Sequence, residues 1–482
     1  MKKIVFGICS MMLALTFASC NKVEDPSSQK ITELRFNVQV ENATALDTKA
    51  VKTAWADGDE IYVFFNGLKA MKYVTLTYDE AGGTWTGAIS AESELDASDL
   101  SASGTMYGIH FPFGAIAITE DPSDSDGVVF RSSGNTNTAL NGRPVYTYYL
   151  TGNTSYTVVV ADGIGTLTGS FNLTMPDDYV WFFIDKSGTD YNANEKYRLS
   201  VDGMKPTACL GFSGGTFTET SLSAGQPVWG YVFDDSGIAF TGKVDDTWAS
   251  SADHQFIFFS DGDAAMSRTI TGALDVSGSK HPSVKLKAPT TTNGWTQAIP
   301  TPSTVDFGTA TCLWADRNLG AASGMVPGMY LGWGQLVPTN DYTYNNWYPE
   351  GTADIKCDLT GDYAIFDAAR AYLGADWRLP TLTEADDLCQ NTTSQYDMDL
   401  DYVVLEKSEH SVCLPITNYY KENDPTGGDE DTGYFWLSTF YVTGLQASPY
   451  YFYVDRYYEE TDYYYFPQYK DRAFTIRPVK VK

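Results

Sequence analysis

Short runs in which apolar and polar residues alternate, each closed by a turn signal, set the limits on what this chain can fold into. Leu34-Arg35-Phe36-Asn37-Val38-Gln39-Val40 comes first, then Ile61-Tyr62-Val63-Phe64-Phe65 and Tyr73-Val74-Thr75-Leu76-Thr77-Tyr78. A period of two sends successive side chains to opposite faces, so each run reads as a strand with one face on a core. Turn chemistry separates them, as in Trp55-Ala56-Asp57-Gly58-Asp59, where the indole is placed to close one end of that core. Long runs with helical periodicity are scarce, so the expected class is mainly β, built from antiparallel sandwiches. A second set of strands opens at Leu167. It includes Val180-Trp181-Phe182-Phe183-Ile184, Pro227 to Phe233 and Gln255 to Phe259, and closes near Val284-Lys285-Leu286. The expected divisions are 31–165 for the first sandwich and 166–288 for the second.

Several stretches within these units carry more than a pattern: TKAVKTAWADGDEIYVF (48–64), GTWTG (83–87), YGIHFPFG (107–114) and GSFNLTMPDDYVWFFI (169–184). In content and order they resemble the fimbrillin family, pilus-type and surface proteins of Bacteroides relatives. The resemblance implies two tandem Greek-key β-sandwiches of fimbrillin/transthyretin-like type. It also implies that removing the first strand, by a cut after Arg35 or Lys49, opens a groove for a neighbouring subunit's strand. Other pilin subunits are then partners by strand exchange.

Residues 289–303 combine three prolines with Thr, Gly and Asn and lack periodicity, which is the composition of a semi-extended linker. Beyond it, 304–482, the character changes. Phe366, Ala369 and Leu373 share one face of a helix predicted over 363–373, with Gly374 suited to a left-handed cap. Thr381 and Glu384 form a capping box for a second helix running to about Cys389. Two helices beside short strands make an α+β unit. Trp314, Trp333, Trp377 and Trp436 are expected as core pillars, and Asp316, Arg317 and Arg378 as buried or half-buried charges needing partners. The ordered set WADRNLGA (314–321), PGMYLGWGQ (327–335), LGADWRLPT (373–381), GYFWLST (433–439) and FTIRPV (474–479) resembles a C-type-lectin-like "major paralogous" domain of Fibrobacter and Bacteroidetes surface proteins. That family is related in fold to formylglycine-generating enzymes, so the resemblance implies a head that binds a glycan or protein ligand.

The N-terminus is an address rather than a fold element. Lys2 and Lys3 precede an apolar run, and Phe17-Ala18-Ser19 leads into Cys20. This is a signal peptide (1–20) of lipobox type, with Cys20 expected to become the acylated first residue, followed by a polar tether (21–30). No later stretch approaches the roughly 18 apolar residues of a membrane span, so lipid on Cys20 is the expected attachment to the outer membrane, with the protein facing the surface. Acidic residues outnumber basic ones 61 to 32, and a net charge of −29 repels phosphate backbones, so nucleic acid is not an expected partner.

Catalytic motifs lack their context. Gly211-Phe212-Ser213-Gly214-Gly215 matches a nucleophile elbow, but strand-like residues follow where a helix is needed. Ser277 to Lys280 reads as a hairpin turn. Asp124-Ser125-Asp126-Gly127 fails as a calcium loop because Pro122 stands where an oxygen ligand belongs; Asp429-Glu430-Asp431 leaves calcium possible but unsupported. No cofactor and no enzyme activity are expected. Cys312, Cys357, Cys389 and Cys413 allow three disulfide pairings in an exported protein, and Cys389 with Cys413 is one staple to consider. Binding is expected of the aromatic run from Tyr450 to Tyr469, because a strand that is aromatic at every position is wholly core only when both faces are covered. Tyr457, Tyr458 and Tyr463, beside Asp455, Glu459, Glu460 and Asp462, are the candidate ligand contacts, read as loop residues. The alternative to an adhesin or pilus tip is a lipoprotein that captures polysaccharide for nutrition.

Overall fold

The computed structural model describes residues 33–40 and, between 55 and 482, all but short stretches and the longer segments 134–148, 272–282, 339–356 and 422–430. The fold is mainly β. Its first unit contains β1 (Glu33–Val40), β2 (Glu60–Phe65), β3 (Val74–Asp79), β4 (Thr84–Ala88), β5 (Ser103–His110), β6 (Ala115–Asp121), β7 (Asp124–Ser133), β8 (Leu150–Ala161) and β9 (Ile164–Phe171). Seven of these form one sheet in the order β1-β9-β8-β5-β2-β3-β4. The alternation in β3 does what a period of two requires, burying Val74 and Leu76 while Thr75 and Thr77 are less buried.

Two features depart from the expected antiparallel sandwich. β1 pairs with β9 in parallel, Phe36 opposite Leu167. The sheet also curls until its edges meet: a Cβ on Gly87 in β4 would lie 1.9 Å from Phe36 Cδ2 in β1. Glycine at position 87 is therefore a space requirement. Gly87→Ala should push the Phe36 ring out of its seat, lower stability by about 1–3 kcal/mol and speed tryptic cleavage at Arg35. Unchanged digestion and an unchanged melting temperature would show that Phe36 has another place to go.

The division expected at 165/166 runs through β9, which belongs wholly to the first sheet. After β10 (Tyr179–Asp185), β11 (Arg198–Val201) and β12 (Met204–Lys205), the hairpin β13 (Thr207–Ser213) and β14 (Thr216–Ser221) also departs from the expected second unit. It completes a four-stranded sheet with β6 and β7 in the order β14-β13-β7-β6, Phe212 opposite Val128. Phe212 stacks on Phe64 of β2 at 4.5 Å, and Leu210 and Phe212 lie in the same core as Ile61, Phe130 and Leu167. The first unit is thus built from two separate chain segments.

The second unit is a sandwich of one sheet containing Tyr179–Asp185, Gly237–Val244 and Ser283–Lys287 and another containing Arg198–Val201, Asp253–Phe259 and Met266–Thr271. Here too the opening strand, Tyr179–Asp185, pairs in parallel with the closing one, Ser283–Lys287. The opening strand is apolar at nearly every position because both faces are covered. Val180, Phe182 and Ile184 enter the second core, while Tyr179 and Trp181 enter the first.

Residues 289–303 are not a free linker. Trp295 is buried in the second core with its indole N–H on Lys287 O at 3.0 Å, and Thr296–Gln297 pairs with the strand Met266–Thr271. A single indole buries enough apolar area to seat a segment that its prolines and threonines leave without periodicity. Ile299, Phe259 and Ala265 then join the core of the C-terminal unit. Ala265 N–H donates to Ala371 O at 3.1 Å, Ala375 N–H to Gly262 O at 2.8 Å, and the Gln226 side-chain amide to Val337 O at 2.8 Å.

In the C-terminal unit, Cys312–Ala315 pairs with Val479–Val481, so its first and last segments lie side by side. The helix predicted over 363–373 is two: a 3-10 turn, Gly361–Phe366, and an α-helix, Ala368–Leu373. Asp367 breaks them by leaving the helical conformation, and its buried carboxylate caps the second by accepting from Arg370 N–H at 3.1 Å. Gly374 has φ 96° and ψ 176°, a positive-φ stop but not a left-handed helical one. The capping box of Thr381 and Glu384 is present and starts the helix Leu382–Asn391. Trp314, Trp333, Trp377 and Trp436 are all buried. Glu384, 3% exposed, holds more than its cap: Arg378 donates to both of its oxygens at 2.6 and 2.7 Å, and Thr311 Oγ1 donates at 2.6 Å. Burial acts to raise the Glu384 carboxyl, but the hydrogen bonds from Arg378, Thr311 and the Thr381 backbone outweigh it and hold the group at about 2.

Candidate aromatic binding tip

The tyrosine-rich region is a three-stranded sheet, Thr432–Thr443, Gln446–Asp455 and Glu460–Tyr465. Its central strand carries aromatic residues on both faces because a core lies on each. Phe452 stacks on Phe435 at 4.6 Å and packs with Trp314, while Tyr451 packs against Phe474 at 5.2 Å on the other side. This part of the run is structural. The sequence argument for exposure holds only where a face runs out of cover.

It runs out at the turn 456–459. Tyr457 is 64% exposed and Tyr458 70%, their ring centroids 5.0 Å apart and their planes at 85°. The turn is tied down beneath them. Asp455, 6% exposed, accepts from Tyr458 N–H at 2.8 Å and from Thr432 Oγ1 at 3.0 Å. Arg456 donates from Nε to Asp431 at 2.8 Å and from Nη1 to Leu400 O at 2.9 Å and Asp401 at 3.3 Å. The bond to Asp431 raises the Arg456 pKa, so this guanidinium is already engaged with carboxylates. Glu459 takes φ 53° to close the turn.

Tyr463 belongs elsewhere. It lies within the strand Glu460–Tyr465 rather than in a loop, is half-buried, and packs against the core beside the helix Leu382–Asn391. The charge of Asp386 on that helix is the first cause of its raised hydroxyl pKa. Its neighbour Tyr464, not singled out from sequence, is the exposed member at 51%. A period of two through 460–465 separates them, but the register that decides which one faces out comes from pairing, Phe452 opposite Tyr463.

The other candidates have plainer environments. Ser213 ends β13 in a hairpin, not a strand-to-helix turn, and donates to Asp124 Oδ2 at 2.6 Å. Arg35 is exposed and sits in the middle of β1, so a cut after it leaves Phe36 to Val40 still on the ladder. Lys49, Cys20, Ser277 to Lys280 and Asp429-Glu430 lie outside the described residues. Asp431 spends its carboxylate on Arg456, and among the described residues no group of three His, Cys, Asp or Glu is placed to hold a metal ion. Cys312, Cys357, Cys389 and Cys413 are free thiols, so the Cys389–Cys413 staple is not formed. Cys413 faces Arg477, whereas Cys389 lies by Asp386 and Asp462. Burial pushes Cys312 and Cys389 up to about 12, far from the range of a reactive thiolate.

No family model and no curated protein matches the chain. Among solved structures, it is similar to a candidate adhesin of Bacteroides ovatus, at 11% identity over 57% of this chain and 98% of that one, TM-score 0.26. A candidate cell adhesion protein, also from Bacteroides ovatus, gives 13% identity over 53% and 93%, TM-score 0.27. The fimbrial anchor protein Mfa2 of Porphyromonas gingivalis gives 12% identity over 47% and 77%, TM-score 0.20.

Proposed function

We propose that this chain is a surface adhesin or accessory fimbrial subunit, lipid-anchored at Cys20 in the outer membrane, whose lectin-like C-terminal unit binds a glycan or protein ligand. The observation that carries the reading is the Tyr457–Tyr458 pair. Two large rings left mostly in solvent on a turn fastened by Asp455 and Arg456 lose little freedom when a partner covers them, which is the property of a binding hot spot. Assembly with other subunits would use β1. It is the strand that caps the open edge of β9, and its removal by a cut beyond Val40, at Lys49 rather than Arg35, would free that whole edge for a neighbour's strand.

The test is an array of host glycoproteins, bacterial surface ligands and dietary polysaccharides probed with the full-length chain. Binding to the first two groups, lost in Tyr457→Ala/Tyr458→Ala at an unchanged melting temperature, is the expected result. Signal confined to dietary polysaccharide would replace adhesion by nutrient capture. Absence of any signal, together with higher-order ladders after protease treatment, would make the chain a structural pilin.

A further inference from the structure

The shape of the tip argues for one kind of partner. Sugar-binding platforms offer flat rings that a pyranose can lie along; Tyr457 and Tyr458 stand at 85° with centroids 5.0 Å apart, which makes a corner instead. In this edge-to-face contact the edge of one ring lies against the face of the other, and the face left in solvent beside it suits a compact cation, whose attraction to a ring does not depend on lying flat. The rim has the matching sign. Glu459, Glu460 and Asp462 flank the tyrosines in sequence, all exposed. Through Arg456 the turn is bonded to the loop that carries Asp397, Asp399 and Asp401, also exposed. Arg456 offsets only Asp401 among them, because its side chain is 15% exposed and its bonds go to Asp431 and Asp401, which leaves Asp397, Asp399, Glu459, Glu460 and Asp462 without it. Carboxylates spread over two loops exceed what one ammonium group reaches, so the fit is to a segment bearing several cations.

Resting on the reading of the C-terminal unit as a ligand-binding head, we propose that the Tyr457–Tyr458 corner and its carboxylate rim dock an arginine- or lysine-rich protein segment. One cation enters the corner and its neighbours meet the rim. Anionic glycans are disfavoured by the same field.

The experiment titrates the full-length chain, in mild detergent, with a labelled dodecapeptide of alternating arginine and glycine, and with its glutamate counterpart. The arginine peptide should bind, and the glutamate peptide should not. Tyr457→Ala/Tyr458→Ala should weaken the arginine peptide by about tenfold even at physiological ionic strength, where rim charges are screened beyond about 8 Å. Asp399→Asn/Glu459→Gln/Glu460→Gln should reduce the salt dependence of binding, while neutralising the distant Asp57, Asp79 and Glu80 should leave it unchanged. Equal binding by the tyrosine variant would leave only general attraction to an acidic protein and overturn the proposal. So would full competition by an equimolar linear polyamine, which would make the partner a small molecule. A neutral oligosaccharide that binds through the tyrosines while the arginine peptide does not would remove the cationic partner and leave the ligand-binding head standing.

Discussion

Residues 31–165 expressed alone should give no cooperative thermal transition and should expose apolar surface, although the strand pattern marks them as a complete sandwich. Two reasons follow from the fold: the cut removes all of β9 beyond Gly165, with Leu167 and Phe171 of the first core, and the hairpin that begins at Thr207 lies further along the chain. Without β13 and β14, the face of the large sheet that carries Phe64 loses Phe212 and Phe217, and β7 is left as an unpaired edge. Trp181, from the opening strand of the second unit, is also missing from that core. Within the intact chain, Phe212→Ala should cost about 3–5 kcal/mol, the range for truncating a buried aromatic ring. Near-ultraviolet circular dichroism and thermal melts of the fragment and the variant check both results. A sharp melt of 31–165 would mean that the first sheet closes without the end of β9 and without the hairpin.

The second large effect is at Glu384. Replacing it with Gln leaves Arg378 without its charged partner in a site where Glu384 is 3% exposed, and should cost about 3–5 kcal/mol. Its folded pKa of about 2 lies below the ordinary value of 4.5, so its contribution is complete above pH 4.5 and disappears as pH falls towards 2. Asp367 has the opposite sign. Burial outweighs its backbone hydrogen bonds and lifts it from 3.8 to about 6, so the neutral form is favoured in the fold, and stability rises as pH falls from 6 towards 3.8. Stability of the C-terminal unit should therefore pass through a maximum where the two windows overlap, between pH 3.8 and 4.5. Denaturant titrations at a series of pH values should show Glu384→Gln flattening the acid arm and Asp367→Asn the upper one. An unaltered profile in either variant would assign that arm to other groups.

Local signals in the chain were legible where neighbours in sequence decide the outcome. The capping box of Thr381 and Glu384 needs only three residues' spacing, and Ile61 to Phe65 declares a strand by composition alone. The four tryptophans went to the core because no other place buries an indole so well. What alternation does not contain is a partner. A period of two says that Leu210 and Phe212 point one way, but not that their hairpin joins β7 rather than the sheets on either side of it in sequence. Parallel pairing of β1 with β9 is silent for the same reason. Trp295 was hidden by its neighbours' prolines, and Tyr463 by the acidic residues around it. At the tip, Tyr457 and Tyr458 were readable as exposed, whereas the bonds of Asp455 and Arg456 that hold them depend on Thr432, Asp431 and Leu400, which only the fold brings near.

The parallel pairing of opening and closing strands, found in both sandwiches, bears on how the chain responds to a pull. In the first unit the opening segment enters through β1 and ends in β9; in the second the chain enters through Tyr179–Asp185 and passes through Ser283–Lys287 before the short pairing at Thr296–Gln297. Tension between the N-terminus and the C-terminal unit draws the two members of each pair in opposite directions along their length. The ladder hydrogen bonds then share the load together instead of opening one after another, so each sandwich meets stretching in shear.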